Sequence, residues 1–480
     1  MARIIYLVLL PNDLFYGMGG QIWPGYTGTQ YGMHTKAFDT AAVPVKVTVD
    51  GRSARWARAN PDFDTYVEPI KSALNCLKQR NFRNSCCLLN LCEYRLPGFG
   101  VIYSIIRSFY TSSVEAWDML IWIQVILGAA ASVLFGELVG RLTGKKLMIC
   151  VGSISYAFFP YVVRYEFILG SEGMYHSFII FYAFFLYLSS LRPNFYLFIS
   201  SFSLLLAFLF RPITILFYLP TFGAFLVERR DFYKKSLILF LPFLAFEAFW
   251  IPCNFIRNKS IYPFSSTLYL RGIGESEWGR VNFLLSSYGD NYYWFYYSNY
   301  TFPKRSFTSK FDSVRADSVK AIVQKFYRGS GEVTEKDVVR LLLEWEQSIK
   351  EEKPLLYHLY SRIYAVWNFI TSHLQEHLLY TPITEGSTWY FILYVYSMMI
   401  WIFAVFVGGI ACIYYLWKFR QNIFYAVLSL NALLGIASYS YLKQIQSRYL
   451  LISIPLLLTV AFVFTYDLYR RYVTRSGKGN

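Results

Sequence analysis

The residues able to do chemistry fall in a few short constellations. Pro61-Asp62-Phe63-Asp64-Thr65-Tyr66 sets two carboxylates two positions apart, ahead of Ile70, Ala73, Leu74 and Leu77 at helical spacing. Such a pair before an amphipathic helix can supply a general base or part of a divalent-cation site. The plainer alternative is that the acids cap the helix, where unpaired backbone N–H groups and the dipole favour them. Glu93-Tyr94-Arg95-Leu96-Pro97-Gly98-Phe99-Gly100 leads into an aromatic, amphipathic run over 101–110. A guanidinium there can hold a lipid phosphate in two-point fashion or simply snorkel to the interface.

Further along, Arg164, Glu166, Ser171, Glu172 and His176 crowd an otherwise apolar turn. Acids and bases in such a place are costly unless paired or functional. Arg164 and Glu166 are close enough in sequence to pair with each other, whereas Glu172 has no cation nearby in the sequence and is the stronger site residue. Arg211-Pro212, then Lys443, Arg448 and Tyr449, place cations at two more turns. Each needs a local anion, either a phosphate or a carboxylate such as Glu166 or Glu172. Glu247, near the middle of an apolar run, is expected to be protonated and hydrogen-bonded to a neighbouring helix.

The surroundings of these residues are apolar throughout. Of 480 residues, 55% are hydrophobic and only 16% are charged, against about 25% charged in soluble domains. Apolar runs near 20 residues occur at 117–136, 147–166, 173–191, 236–256, 389–417, 423–441 and 449–466, each long enough for a bilayer core of about 30 Å. A further stretch, 195–227, is interrupted at Arg211-Pro212 and reads as a hairpin of two short helices. The expected fold is an all-α polytopic membrane protein with about 9–11 transmembrane helices.

The net charge of +16 is expected in cytoplasmic loops and not in a nucleic-acid patch. With 195–227 as a hairpin, Arg141, Lys145, Lys146, Arg192, Arg229, Arg230, Lys234, Lys235, Lys418, Arg420, Arg470 and Arg471 all fall on one side. That side is then the cytoplasm, and the constellations above lie on the outer face. Seven cysteines show no CxxC or Cys/His spacing for zinc.

Five segments follow from this pattern. Residues 1–59 fit poorly: Ile4–Leu10 is too short to cross a bilayer, and Pro11-Asn12 spoils a signal peptide, so a truncated or mis-started first span is expected there. Residues 60–116 form an acidic external loop with interfacial helices, and 117–256 a transmembrane bundle. Residues 257–388 carry charge near the soluble average and form a mixed, partly helical external domain, inserted before the last three spans. Within it, Val338, Leu341, Leu342 and Trp345 predict a helix over 333–349. Residues 389–480 hold the C-terminal spans and a basic cytoplasmic tail.

Taken in order, the motifs resemble the membrane glycosyltransferases of the GT-C class, closest to the group of protein mannosyltransferases and the lipid A aminoarabinose transferase. The matching pieces are Asp62 to Tyr66, Ala73-Leu74, Arg95-Leu96-Pro97-Gly98-Phe99, Ser171-Glu172, Arg211-Pro212 and Arg448-Tyr449-Leu450. They cover roughly residues 60–255 and 389–470; Leu96 stands where many members have Pro, and 257–388 matches nothing in the group.

The resemblance implies inverting transfer of a sugar from a polyprenyl-phosphate carrier to an acceptor hydroxyl or amine of a glycan, lipid or protein, without a nucleotide. It implies catalytic roles for Asp62, Asp64 and Glu172, with Asp62 the base, and binding of the donor phosphate by Arg95, Arg211, Lys443, Arg448 and Tyr449. The Asp62/Asp64 pair permits a divalent cation but does not require one. Membrane lipids are expected partners and nucleic acid is not. The implied location is a bacterial cytoplasmic membrane, or the endoplasmic reticulum in a eukaryote. A lipid-linked glycan flippase, and a polysaccharide polymerase or ligase, share the need for basic lipid-phosphate sites and are the alternative readings.

Overall fold

A computed structural model of the chain describes residues 48–49, 52–53, 96–110, 113–166, 172–190, 192–229, 231–258, 304–327, 333, 335–360, 363, 366–367, 388–441 and 447–476. Apart from a two-residue hairpin, Thr48–Val49 paired with Arg52–Ser53, every described element is helical. The chain is an all-α membrane protein. Among the described residues, three helical stretches, Met119–Thr143, Phe232–Cys253 and Tyr394–Trp417, are long and apolar enough to cross a bilayer, and five further apolar helices are shorter.

Helix α1 (Gly98–Phe109) precedes α2 (Ser113–Thr143), whose 31 residues reach about 46 Å at 1.5 Å per residue. A tight turn at Gly144, with φ +68°, leads to α3 (Lys146–Ala157). The two pack backbone to backbone because Gly136 and Gly140 face α3: a Cβ on Gly136 would lie 2.0 Å from Ser153 Oγ, and one on Gly140 2.2 Å from Ile149 Cγ1. This is the small-residue contact that brings membrane helices together.

The run expected to cross at 147–166 is broken. Helix α3 stops at Ala157 and α4 (Pro160–Glu166) starts afresh, because Pro160 has no N–H for the helical ladder and clashes with the preceding turn.

Helix α5 (Glu172–Leu188) is buried almost all round. Helix α6 (Pro193–Phe210) ends at Arg211, where a 3-10 turn (Pro212–Phe217) opens and continues into α7 (Tyr218–Glu228). The chain doubles back there: the Tyr218 hydroxyl donates to the Ser201 carbonyl at 3.4 Å, and Thr221 Oγ1 lies 2.7 Å from the hydroxyl of Tyr182. Arg211 therefore sits at the tip of a hairpin, as the sequence suggests. Helix α8 (Phe232–Asn258) packs along α6 and α7.

Within residues 257–388, α9 (Ser313–Tyr327) and α10 (Glu335–Glu352) pack together. Val338, Leu342, Trp345 and Ile349 of α10 are buried, and Trp345 stacks on Phe311 with centroids 5.3 Å apart. The Glu352 carboxylate accepts from the Ser309 backbone N–H at 2.9 Å and from its hydroxyl. Those donors hold its pKa below the usual carboxylate range.

The last helices are α11 (Thr388–Ile402), joined through a π-turn (Phe403–Val407) to α12 (Gly408–Trp417), then α13 (Ile423–Tyr441). A 3-10 turn (Ser447–Ile452) leads into α14 (Ile454–Ser476). From Leu450 to Val463 the side chains are almost entirely buried. A helix apolar on every side belongs at the centre of a bundle, and α2, α5, α12 and α13 surround this one.

Candidate functional site

The polar residues of one end of the bundle converge on the start of α5. Pro212 bars its predecessor from the helical region, so Arg211 is extended, with φ −144° and ψ 105°, and α6 terminates. The break aims the guanidinium at α5, where Nη2 of Arg211 donates to Oε1 of Glu172. Glu172 is the first residue of α5 and Arg211 the C-cap of α6. Each charge thus meets the complementary end of a helix dipole. The Glu172 side chain is 2% exposed and that of Arg211 12%. One turn and a half into α5, Phe178 stacks on Phe210 at 5.6 Å and sets the register of the two helices.

This overturns one sequence expectation. Glu172 is not without a cation: its partner lies 39 positions away in the chain. Of the two anions proposed for Arg211, the carboxylate is present, and it is Glu172 and not Glu166.

Glu166 belongs to a second, deeper chain of polar groups. Its Oε1 lies 3.4 Å from Nε2 of His176, and both side chains are fully buried. The other ring nitrogen, Nδ1, is 3.0 Å from the Tyr156 hydroxyl. Gln124 Nε2 donates to the backbone carbonyl of Glu166 at 2.7 Å. The carboxylate fits only because α2 carries Gly128, where a Cβ would stand 2.0 Å from Glu166 Oε1. His176 lies four residues after Glu172, hence on the same face of α5. The sequence singled out Glu166 and His176 but missed Tyr156, Gln124 and Gly128. The small-residue run Gly128-Ala129-Ala130-Ala131-Ser132 inside an apolar span is the signal that marks such a close approach.

Two further motifs frame this end. Leu96 is buried with Leu205, Phe208, Trp250 and Cys253, and Gly98 packs against the backbone of Leu209, whose carbonyl oxygen would be 2.8 Å from an added Cβ. The Leu96-Pro97-Gly98 entry to α1 is therefore docked two residues from Arg211. The turn bearing Arg448 and Tyr449 packs against α5; its backbone is described and those two side chains are not. Asp62, Asp64, Arg95 and Lys443 lie outside the described residues, as does the side chain of Arg164. Among the described residues, no three His, Cys, Asp or Glu side chains could hold a metal ion together.

Glu247 departs from expectation. It is 5% exposed and neither carboxyl oxygen has a hydrogen-bond partner among the described residues, nor has the Trp250 indole nitrogen one turn on. Leaving a buried polar group unpaired costs about 1–3 kcal/mol. Glu247→Leu is accordingly expected to raise the melting temperature in detergent; a lower melting temperature than the parent's would show that the carboxyl is engaged.

No protein family, no curated protein and no solved structure matches the chain.

Proposed function

We propose that the protein is a membrane glycosyltransferase of the GT-C kind, moving a sugar from a polyprenyl-phosphate carrier to an acceptor hydroxyl or amine on the outer face of the membrane. The observation that carries this reading is the Arg211–Glu172 pair. A guanidinium is fixed at a helix-hairpin tip, partly accessible, beside the docked Leu96-Pro97-Gly98 segment and at the bundle helix against which the Arg448 turn packs.

An in-line displacement at an anomeric carbon needs two things from the protein. The acceptor must lose a proton as it attacks, and the departing lipid phosphate must be met by positive charge. Asp62 is assigned the first task. Arg448 leads in the second, with Arg95, Arg211, Lys443 and Tyr449 in support. A planar guanidinium presents five N–H donors and can serve a carboxylate and a phosphate together. Glu172 is then a positioning residue that holds Arg211 in place, and Asp64 assists Asp62 or caps the following helix.

The proposal includes about 9–11 spans, with the basic clusters in the cytoplasm. In a cysteine-free background, cysteines at Lys145, Arg230 and Lys418 should resist an impermeant thiol reagent in intact cells, and cysteines at Ser265 and Glu332 should label. The reverse pattern would put the site on the cytoplasmic side and favour a nucleotide-linked donor.

The direct test is transfer itself: purified protein in detergent, a radiolabelled polyprenyl-phosphate sugar and an acceptor extract. Label should become covalently attached to an acceptor. Donor binding with no transfer to any acceptor would overturn the enzyme reading in favour of a flippase.

A further inference from the structure

At the opposite end of α12 and α14, far along the chain from the site, two cations flank one aromatic ring. The guanidinium carbon of Arg471 is 5.5 Å from the Tyr414 ring centroid and Nζ of Lys418 is 5.1 Å from it. Nη2 of Arg471 also donates to the Tyr414 hydroxyl. Arg470 and Arg420 add charge nearby in sequence, the latter stacked at 5.8 Å on Phe419. Among the described residues, none of these four cations forms an ion pair. Asp467, whose charge also acts on Arg471, accepts from the Tyr415 hydroxyl at 3.0 Å.

The depth of the cluster also matters. Lys418 follows directly on the apolar stretch Tyr394–Trp417, so it emerges where hydrocarbon gives way to headgroups. Trp417 is 80% exposed, and Phe419, Tyr469 and Tyr472 are exposed around it. Amphipathic rings of this kind sit at headgroup level. Cations with no ion-pair partner among the described residues, held at a ring at that depth, suit the phosphates of lipids, and Arg471 has guanidinium N–H groups beyond the one given to Tyr414.

We infer that Lys418, Arg471 and the Tyr414 ring between them form a binding site for the phosphate of an anionic phospholipid, distinct from the donor site. The ring holds both cations within 5.5 Å of its centroid, which a pair of snorkelling side chains on separate helices would not do unaided. Binding there would clamp the end of α12 to the end of α14.

The experiment uses the full-length protein in neutral detergent, melted while phosphatidylglycerol, phosphatidylcholine or inorganic phosphate is titrated in. Phosphatidylglycerol should raise the melting temperature, and phosphatidylcholine and inorganic phosphate should not. In the Lys418→Gln/Arg471→Gln variant the apparent affinity for phosphatidylglycerol should fall roughly tenfold or more. Lys145→Gln/Lys146→Gln, which removes the same charge at the α2–α3 turn, should respond as the parent does. If the double variant proves too unstable to purify, Lys418→Gln alone should show a smaller loss in the same direction. An unchanged phosphatidylglycerol response in either variant, an equal loss in the Lys145/Lys146 control, or an equal shift with inorganic phosphate would each overturn the lipid site.

Discussion

Arg211→Ala is expected to destabilise the bundle by about 3–5 kcal/mol, the range for removing one partner from a buried ion pair. The Glu172 carboxylate, 2% exposed, would lose the guanidinium that donates to it at the start of α5. Glu172→Gln should cost less, because the amide oxygen still accepts from the guanidinium. The double variant should lose clearly less than the sum of Arg211→Ala and Glu172→Gln, since residues in one contact do not act additively. Thermal melting of the parent, both single variants and the double variant closes the cycle. Additive losses would mean that the pair contributes no coupling and that each residue is held by other neighbours.

The same variants bear on mechanism. If Arg211 helps to hold the departing phosphate, Arg211→Lys keeps the charge but loses the two-point geometry. It should then lower kcat more than it raises KM for the donor, because the phosphate gains charge only as the glycosidic bond breaks. Near-normal kcat in Arg211→Lys would leave the residue with a structural role alone.

The second large effect is expected at Asp62. Asp62→Asn should reduce transfer by about 10²–10⁴-fold, the usual loss on removing a general base, with donor binding and melting temperature little changed. Asp64→Asn should be milder, because in the proposed mechanism Asp64 assists the base and is not the base. Equal activity of Asp62→Asn and the parent would refute the assignment. Activity that survives dialysis against a chelator would exclude a divalent cation from the Asp62/Asp64 pair.

Much of the local architecture is legible in the residues. Helix α10 follows from apolar side chains at helical spacing, Val338, Leu341, Leu342 and Trp345, of which all but the half-buried Leu341 are buried in the fold. The end of α6 follows from Arg211-Pro212, since a proline dictates the conformation of the residue before it. The same reasoning applied at Pro160 would have split the run 147–166 into two helices, as the structure does. Run length alone favoured a single span. The close seam of α2 and α3 was written in Gly136 and Gly140, four residues apart, but glycine spacing says only that some partner approaches, not which one.

The sequence by itself determined the class, an all-helical membrane protein, because burial in lipid demands long apolar helices whose backbone bonds are internal. It also determined the break at Arg211-Pro212 and that Glu166, Glu172, His176 and Arg211 are too polar to be idle in such surroundings. Only the tertiary structure decided which polar group meets which. Glu172 took Arg211 across 39 positions, while Glu166 turned to His176 and the cavity left by Gly128. Helix propensity and apolar periodicity act over a few residues. The choice of ionic partner depends instead on crossing helices, their register and the space beside them, which no single segment carries.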